Sequence, residues 1–281
     1  MAGRKWYQSV VPPDECPPPP PNIDTSVAHP ARVYDYWLGG KDNFAADREA
    51  AEQVIALRPE ILTAVRANRR FLGRAVHYLA AEAGIRQFLD IGTGVPRTSN
   101  THEVAQGVAP GARIVYVDDD PFVLAHARAL LMSTPEGACD YIDADVREPE
   151  KILRKAAETL DFGQPVTVML LMTLQYVPDA DDPHGIVARL MDAAPPGSYL
   201  VVSDTTPDVD TERINEATQL YNQRLGSIRQ TRRTEADIAR FFAGLEILEP
   251  GLVSIHHWRP GPDEPDTEND WPTRCAVARK P

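Results

Sequence analysis

Phe88-Leu89-Asp90-Ile91-Gly92-Thr93-Gly94-Val95-Pro96 is the stretch on which the fold turns. A short apolar run ends in an acid and passes through Gly-x-Gly toward a helical pattern opening at Asn100-Thr101-His102-Glu103. Glycines placed there let the backbone turn tightly and approach a ligand at the carboxyl end of a strand, where open α/β sheets bind cofactors. The spacing narrows the choice. A dinucleotide site needs Gly-x-Gly-x-x-Gly with a pyrophosphate on the helix N-terminus, yet Arg97 stands where the third glycine belongs and Pro96 separates turn from helix. An NAD(P)-linked oxidoreductase is therefore the disfavoured alternative.

Downstream, β-branched runs at 87–91, 113–117, 139–143, 166–172 and 199–203 alternate with helical patterns, which means parallel βαβ units. Two later runs, 245–255 and 274–278, have only a loop between them and predict an antiparallel hairpin that closes the sheet. The expected fold is α/β and Rossmann-like, with a seven-stranded, mostly parallel sheet. Helix starts agree: Asn100 with Glu103 and Thr234 with Asp237 read as capping boxes, and Asp120-Pro121 and Asp182-Pro183 place an acid before a first-turn proline. Upstream, a helix over 59–83, ended by Gly84, carries Ile61, Leu62, Val65, Leu72, Ala75, Val76 and Leu79 as one apolar stripe. Asn68 falls inside that stripe, where a buried amide must find partners.

Composition bounds the rest. With 43% hydrophobic and 25% charged residues in 281, the chain reads as a globular protein with one large core. The proline-dominated stretch from Pro12 to Pro21 predicts an extended tail over 1–22, followed by a helical segment at 23–84 and a core at 85–281. A net charge of −12 works against nucleic acid as a partner. No bilayer-spanning run or secretory block is present, so no membrane partner and a cytoplasmic location are expected. Cys16, Cys139 and Cys275 lie far apart and read as ordinary thiols. His256 and His257, taken as neighbours on a strand, would point to opposite faces, and no metal site is expected.

Acids recur at the strand tips. Asp118 closes the second strand, where a carboxylate can accept from both hydroxyls of a ribose; Asp120 reads as the cap of the next helix, and Asp119 as a turn residue at the same rim. Asp145 follows the third strand beside the Val146 amide and reads as a third strand-tip acid at the same rim or, equally, as a helix cap.

With these residues in place the chain resembles class I S-adenosylmethionine-dependent methyltransferases. It resembles more closely a bacterial family of S-adenosyl methyltransferases that share His29-Pro30-Ala31-Arg32-Val33-Tyr34-Asp35-Tyr36, Leu38-Gly39-Gly40-Lys41-Asp42-Asn43-Phe44, Asp47-Arg48 and Ala67-Asn68-Arg69. Tyr116-Val117-Asp118 and Val177-Pro178-Asp179 extend the likeness, which covers almost everything after residue 22. The resemblance implies an S-adenosyl-L-methionine site at Asp90, Gly92, Thr93, Gly94, Asp118, Asp119, Asp145 and Val146, and names no acceptor. Val95-Pro96 departs from the broader pattern, in which a third glycine is common.

In the N-terminal block, Gly39-Gly40-Lys41 predicts a sharp turn presenting a cation. Two readings stand. In one, Lys41 pairs with the methionine carboxylate, oriented by Asn43 or Tyr34, with Asn68 at the wet edge of the cofactor. In the other, the block is a helical lid whose Tyr34, Tyr36 and Trp37 are packing. On the acceptor side, Thr173, Gln175 and Tyr176 follow the fourth strand, and Tyr221 lies on a polar helix at 208–225. Arg229, Arg232 and Arg233 form a basic cluster, read either as an anion holder or as surface. In-line methyl transfer needs alignment more than acid–base groups, so no catalytic residue stands out; Tyr176 and His102 are the base candidates. The acceptor is expected to be a small molecule. The rival from another class is a non-catalytic protein that binds the cofactor or its product, S-adenosylhomocysteine.

Overall fold

The computed structural model describes residues 23–130, 132–261 and 270–281. The tail at 1–22, with Cys16, lies outside the described residues. Three helices come first: α1 (Pro30–Trp37), α2 (Ala45–Leu57) and the long α3 (Ile61–Ala81). The sheet then builds as β1 (Gln87–Ile91), α4 (Thr101–Val108), β2 (Arg113–Asp118), α5 (Pro121–Leu130), β3 (Ala138–Asp143), α6 (Pro149–Ala156), β4 (Thr167–Leu171), α7 (Pro183–Ala193) and β5 (Tyr199–Thr205). After α8 (Thr211–Asn222) and α9 (Glu235–Ala239) come β6 (Glu246–Ile247), β7 (Val253–Ser254) and β8 (Thr273–Arg279).

The strand order is β3-β2-β1-β4-β5-β8-β6, with β7 also paired to β8. β1 to β5 are parallel and β8 runs antiparallel between β5 and the two short strands. Seven places are filled, as expected, but the last one is divided. The run at 245–255 breaks between β6 and β7 at Glu249-Pro250-Gly251, where proline has no N–H for the ladder and Gly251 takes φ +98°. His256 and His257 consequently fall in the turn after β7, with ring centroids 4.3 Å apart, and are not strand residues facing opposite ways.

Strands covered on both faces read as continuous apolar runs because every side chain is buried. In β1, Leu89 and Ile91 join Ile152 of α6, Leu190 of α7 and Ile238 of α9 on one face. Phe88 joins Phe71, Leu72, Val76 and Leu79 of α3, with Trp258, on the other. The predicted stripe of α3 is thus divided: Leu72, Ala75, Val76 and Leu79 dock on the sheet, whereas Ile61, Val65 and the partly buried Leu62 pack with the lid. A separate core of Val33, Trp37, Ala51, Val54, Val65, Tyr221 and Leu225 joins α1, α2 and the start of α3 to α8. These helices lie over the carboxyl ends of the strands as a lid.

Candidate active site

A cavity of about 410 Å³ opens at the carboxyl ends of the parallel strands, where the order reverses between β1 and β4. Its floor is the turn after β1. Gly92 takes φ +74° and Gly94 φ +66°, backbone states that favour glycine. A Cβ at Gly92 would also sit 2.3 Å from Thr173 Oγ1, whereas one at Gly94 would meet nothing within 4 Å. The first glycine therefore admits the β4 loop, and the second leaves the backbone open to a ligand.

Three carboxylates stand around this turn. Asp90 is buried, accepts from Thr101 Oγ1 at 2.6 Å, and burial pushes it up to about 6. Asp118 accepts from the Gly94 amide at 2.8 Å and the Asp120 amide at 3.0 Å, and burial pushes it up to about 6 as well. Asp118 thus holds the glycine turn and faces the cavity at once. For Asp145, burial acts upward, but the hydrogen bonds and charge of Arg147, whose Nε lies 2.9 Å from both carboxylate oxygens, hold it below its ordinary value. Asp119 is exposed at the rim and is raised by desolvation and then by the Asp145 charge. Asp120 caps α5 through the Phe122 amide at 3.0 Å, as its position before proline predicts.

Asn68 finds the partners its buried place demands: Nδ2 donates to the Tyr34 hydroxyl at 2.9 Å, and Oδ1 accepts from Ser203 Oγ at 2.8 Å. It ties the lid to β5 while lining the cavity. Beyond it lie Met172, Thr173, Gln175 and Tyr176 on the loop after β4. Met172 has φ +58°, a costly backbone state for a non-glycine residue, held here in the cavity wall.

Several sequence-predicted residues stand elsewhere. Lys41 is exposed and outside the cavity wall, because the Gly39-Gly40 turn directs the following chain around Asp35 instead of inward. Asn43 is likewise outside the wall, and its Nδ2 donates to Asp35 Oδ2 at 3.0 Å. Asp35, 1% exposed, also takes Arg97 Nη1 at 2.6 Å, so the lid is tied to the glycine turn by an ion pair. Tyr221 packs against Trp37 in the lid core and leaves the wall to its neighbours. His102 is buried with Nδ1 2.8 Å from the Tyr116 hydroxyl, also outside the wall. The basic cluster is surface only in part: Arg233 is buried, Arg232 half-buried and Arg229 exposed. Arg233 binds Asp179 and the carbonyls of Leu174 and Val177, Arg232 lies behind Gln175 and Gln230, and only Arg229 reaches the cavity.

Sequence reasoning missed His29, Arg69 and Arg147 in the wall. Arg69 follows Asn68 on α3, and Nη2 donates to Thr98 O, Ser99 O and Asn100 Oδ1 at 3.1–3.3 Å, which holds it over the end of the turn. The Asp145-x-Arg147 spacing was a legible signal for a clamp; His29 opens the shared N-terminal block, but its pairing with the distant Asp120 left no local sign.

The fold is that of the class I S-adenosylmethionine-dependent methyltransferases. The chain belongs to the S-adenosyl methyltransferase family, whose model matches residues 17–281. A DUF574 family protein from Streptomyces avermitilis is 45% identical, with 92% of this chain and 99% of that chain covered and a TM-score of 0.88. A protein from Thermobifida fusca is 41% identical over 97% of this chain and 99% of that one, with a TM-score of 0.84. At 11% identity, the plantazolicin methyltransferase in complex with S-adenosylhomocysteine shares the fold, with a TM-score of 0.50 and 89% and 95% coverage. No protein of curated function matches the chain. The protein is an enzyme, and its cofactor is S-adenosyl-L-methionine.

Proposed function

We propose that the cavity holds S-adenosylmethionine across the glycine turn and transfers its methyl group to a small-molecule acceptor. The cofactor supplies an electrophilic methyl on a sulfonium sulfur; the chain supplies alignment and a dry site. Asp118 accepts from the ribose hydroxyls, with its remaining lone pairs beyond those used by Gly94 and Asp120. Asp145 and the Val146 amide, held by the Arg147 clamp, read the adenine edge. Gly92, Thr93 and Gly94 give the backbone approach, and Asp119 flanks the ribose at the rim. Asp90 supports the turn from below through Thr101. Arg69, instead of Lys41, carries the donors that suit the methionine carboxylate, with Asn68 and Tyr34 alongside.

Met172, Thr173, Gln175 and Tyr176 bound the space left for the acceptor. A cavity of about 410 Å³ is at the small end of the roughly 300–1,000 Å³ typical of drug-sized ligands, which supports a small acceptor. The net charge of −12 favours a substrate other than nucleic acid. Among the described residues no helix is long and apolar enough to cross a membrane, and no cluster of three or more His, Cys, Asp or Glu could hold a metal.

The observation that carries this reading is Asp118, buried at the tip of β2, gripping the Gly94 amide and facing the same cavity. Asp118→Ala is expected to weaken S-adenosylmethionine binding by about 1.5–3 kcal/mol, as for a lost charged hydrogen bond, measured by titration calorimetry. Wild-type affinity in a folded variant would remove Asp118 from the site.

A further inference from the structure

The imidazole of His29 belongs to the lid, yet it stands in the cavity wall with Asp118, Asp119 and Asp145. Its backbone is fixed from α2: the His29 amide donates to Asp47 Oδ1 at 2.9 Å, and Pro30 opens α1. Its ring is fixed from the core. Nδ1 lies 2.9 Å from Oδ2 of Asp120, and no other donor among the described residues reaches that buried oxygen. A buried carboxylate oxygen requires a donor, which places the ring proton on Nδ1 and makes the 3.4 Å approach of the Ala31 amide to the same atom secondary. Burial would raise Asp120, and the hydrogen bonds it receives, first from His29 and then from the Phe122 amide, hold it low, in keeping with that proton.

The consequence is a ring locked in one tautomer, with Nε2 as the acceptor left over beside the nucleoside-facing acids. Resting on the cofactor reading above, we propose that His29 is a nucleoside-binding residue supplied by the lid, its Nε2 accepting from a hydroxyl or amino group of the bound nucleoside. Asp120 is the orienting group, two residues beyond the ribose carboxylate Asp118. The lid thereby becomes part of the cofactor site. Asp35–Arg97 at 2.6 Å and Asp42–His126 at 3.5 Å also join it to the core, so the nucleoside contact adds one more tie across the same seam.

The test is titration calorimetry of the full chain with S-adenosylhomocysteine and with adenosine, for the unmutated protein, His29→Asn, His29→Gln and Asp118→Ala. His29→Asn keeps a helix-capping side chain while removing Nε2, and His29→Gln gives a second chance of a folded variant. Both are expected to bind both ligands about tenfold more weakly, with the fold verified by circular dichroism. Unchanged affinity in the His29 variants beside a weakened Asp118→Ala would overturn this inference and leave the cofactor reading standing. A loss confined to S-adenosylhomocysteine would place His29 on the amino-acid half and overturn the nucleoside assignment. Failure of the unmutated protein to bind either ligand would overturn both.

Discussion

Replacing Gly40 by alanine separates two reasons for which a turn keeps glycine. Gly39 has φ +78° and open space around its Cβ position, so Gly39→Ala meets only backbone strain, about 1–2 kcal/mol for a left-handed residue. Gly40 is the converse. Its φ is not in the left-handed region, but a Cβ there would lie 1.9 Å from Asp35 Oδ1 and 2.1 Å from Arg97 Nη1. The methyl group must force apart an ion pair whose acid is 1% exposed and also serves the Asp42 amide and Asn43. Breaking a buried pair costs about 3–5 kcal/mol; because the Arg97 side chain keeps 27% exposure, about 3 kcal/mol is the better figure. Urea unfolding of Gly40→Ala and Gly39→Ala measures both. A Gly40→Ala cost at or below that of Gly39→Ala would refute the view that the Asp35–Arg97 pair holds the lid to the turn.

Arg69→Met should weaken S-adenosylmethionine about tenfold or more while leaving adenosine affinity unchanged, since the lost donors face the carboxylate alone; equal losses for both ligands would place Arg69 elsewhere. Asp204, fully buried on β5 with Oδ2 lacking a partner, is pushed up to about 6 by burial. Its folded pKa lies above the unfolded one, so the folded state binds the extra proton and stability falls as pH rises through roughly 4 to 6. Asp204→Asn removes that penalty, and its stability relative to the unmutated protein should improve by about 1–2 kcal/mol between pH 5 and pH 8. A difference that does not change with pH would contradict the shift.

Most of the sheet was legible because its strands are buried on both faces. Runs such as Ile114-Val115-Tyr116-Val117 can hardly be read otherwise, and their ends are set by the acids at the tips. Capping was legible for the same local reason: Asn100 donates its amide to Glu103 at 2.8 Å, and Asp182 accepts from the Gly185 amide at 3.0 Å. The lid was not. Whether Lys41 or Arg69 faces the cavity depends on how the Gly39-Gly40 turn wraps Asp35, a choice made by Arg97, 62 residues further on. Asn68 was singled out correctly as an amide in an apolar stripe, yet its partners, Tyr34 and Ser203, come from two distant segments. Arg232 carried no sign in its sequence neighbourhood of its inward bonding, and its partners Gln175 and Thr218 are tertiary as well.

Cofactor occupancy is the claim on which the rest depends, and thermal unfolding with S-adenosylmethionine, S-adenosylhomocysteine or NAD tests it most directly. A ligand at about 100 times its Kd adds roughly 2.7 kcal/mol, enough to raise the midpoint of a domain of this size by several degrees. The account predicts a rise with the two sulfur nucleosides and none with NAD; a rise with NAD alone would contradict it.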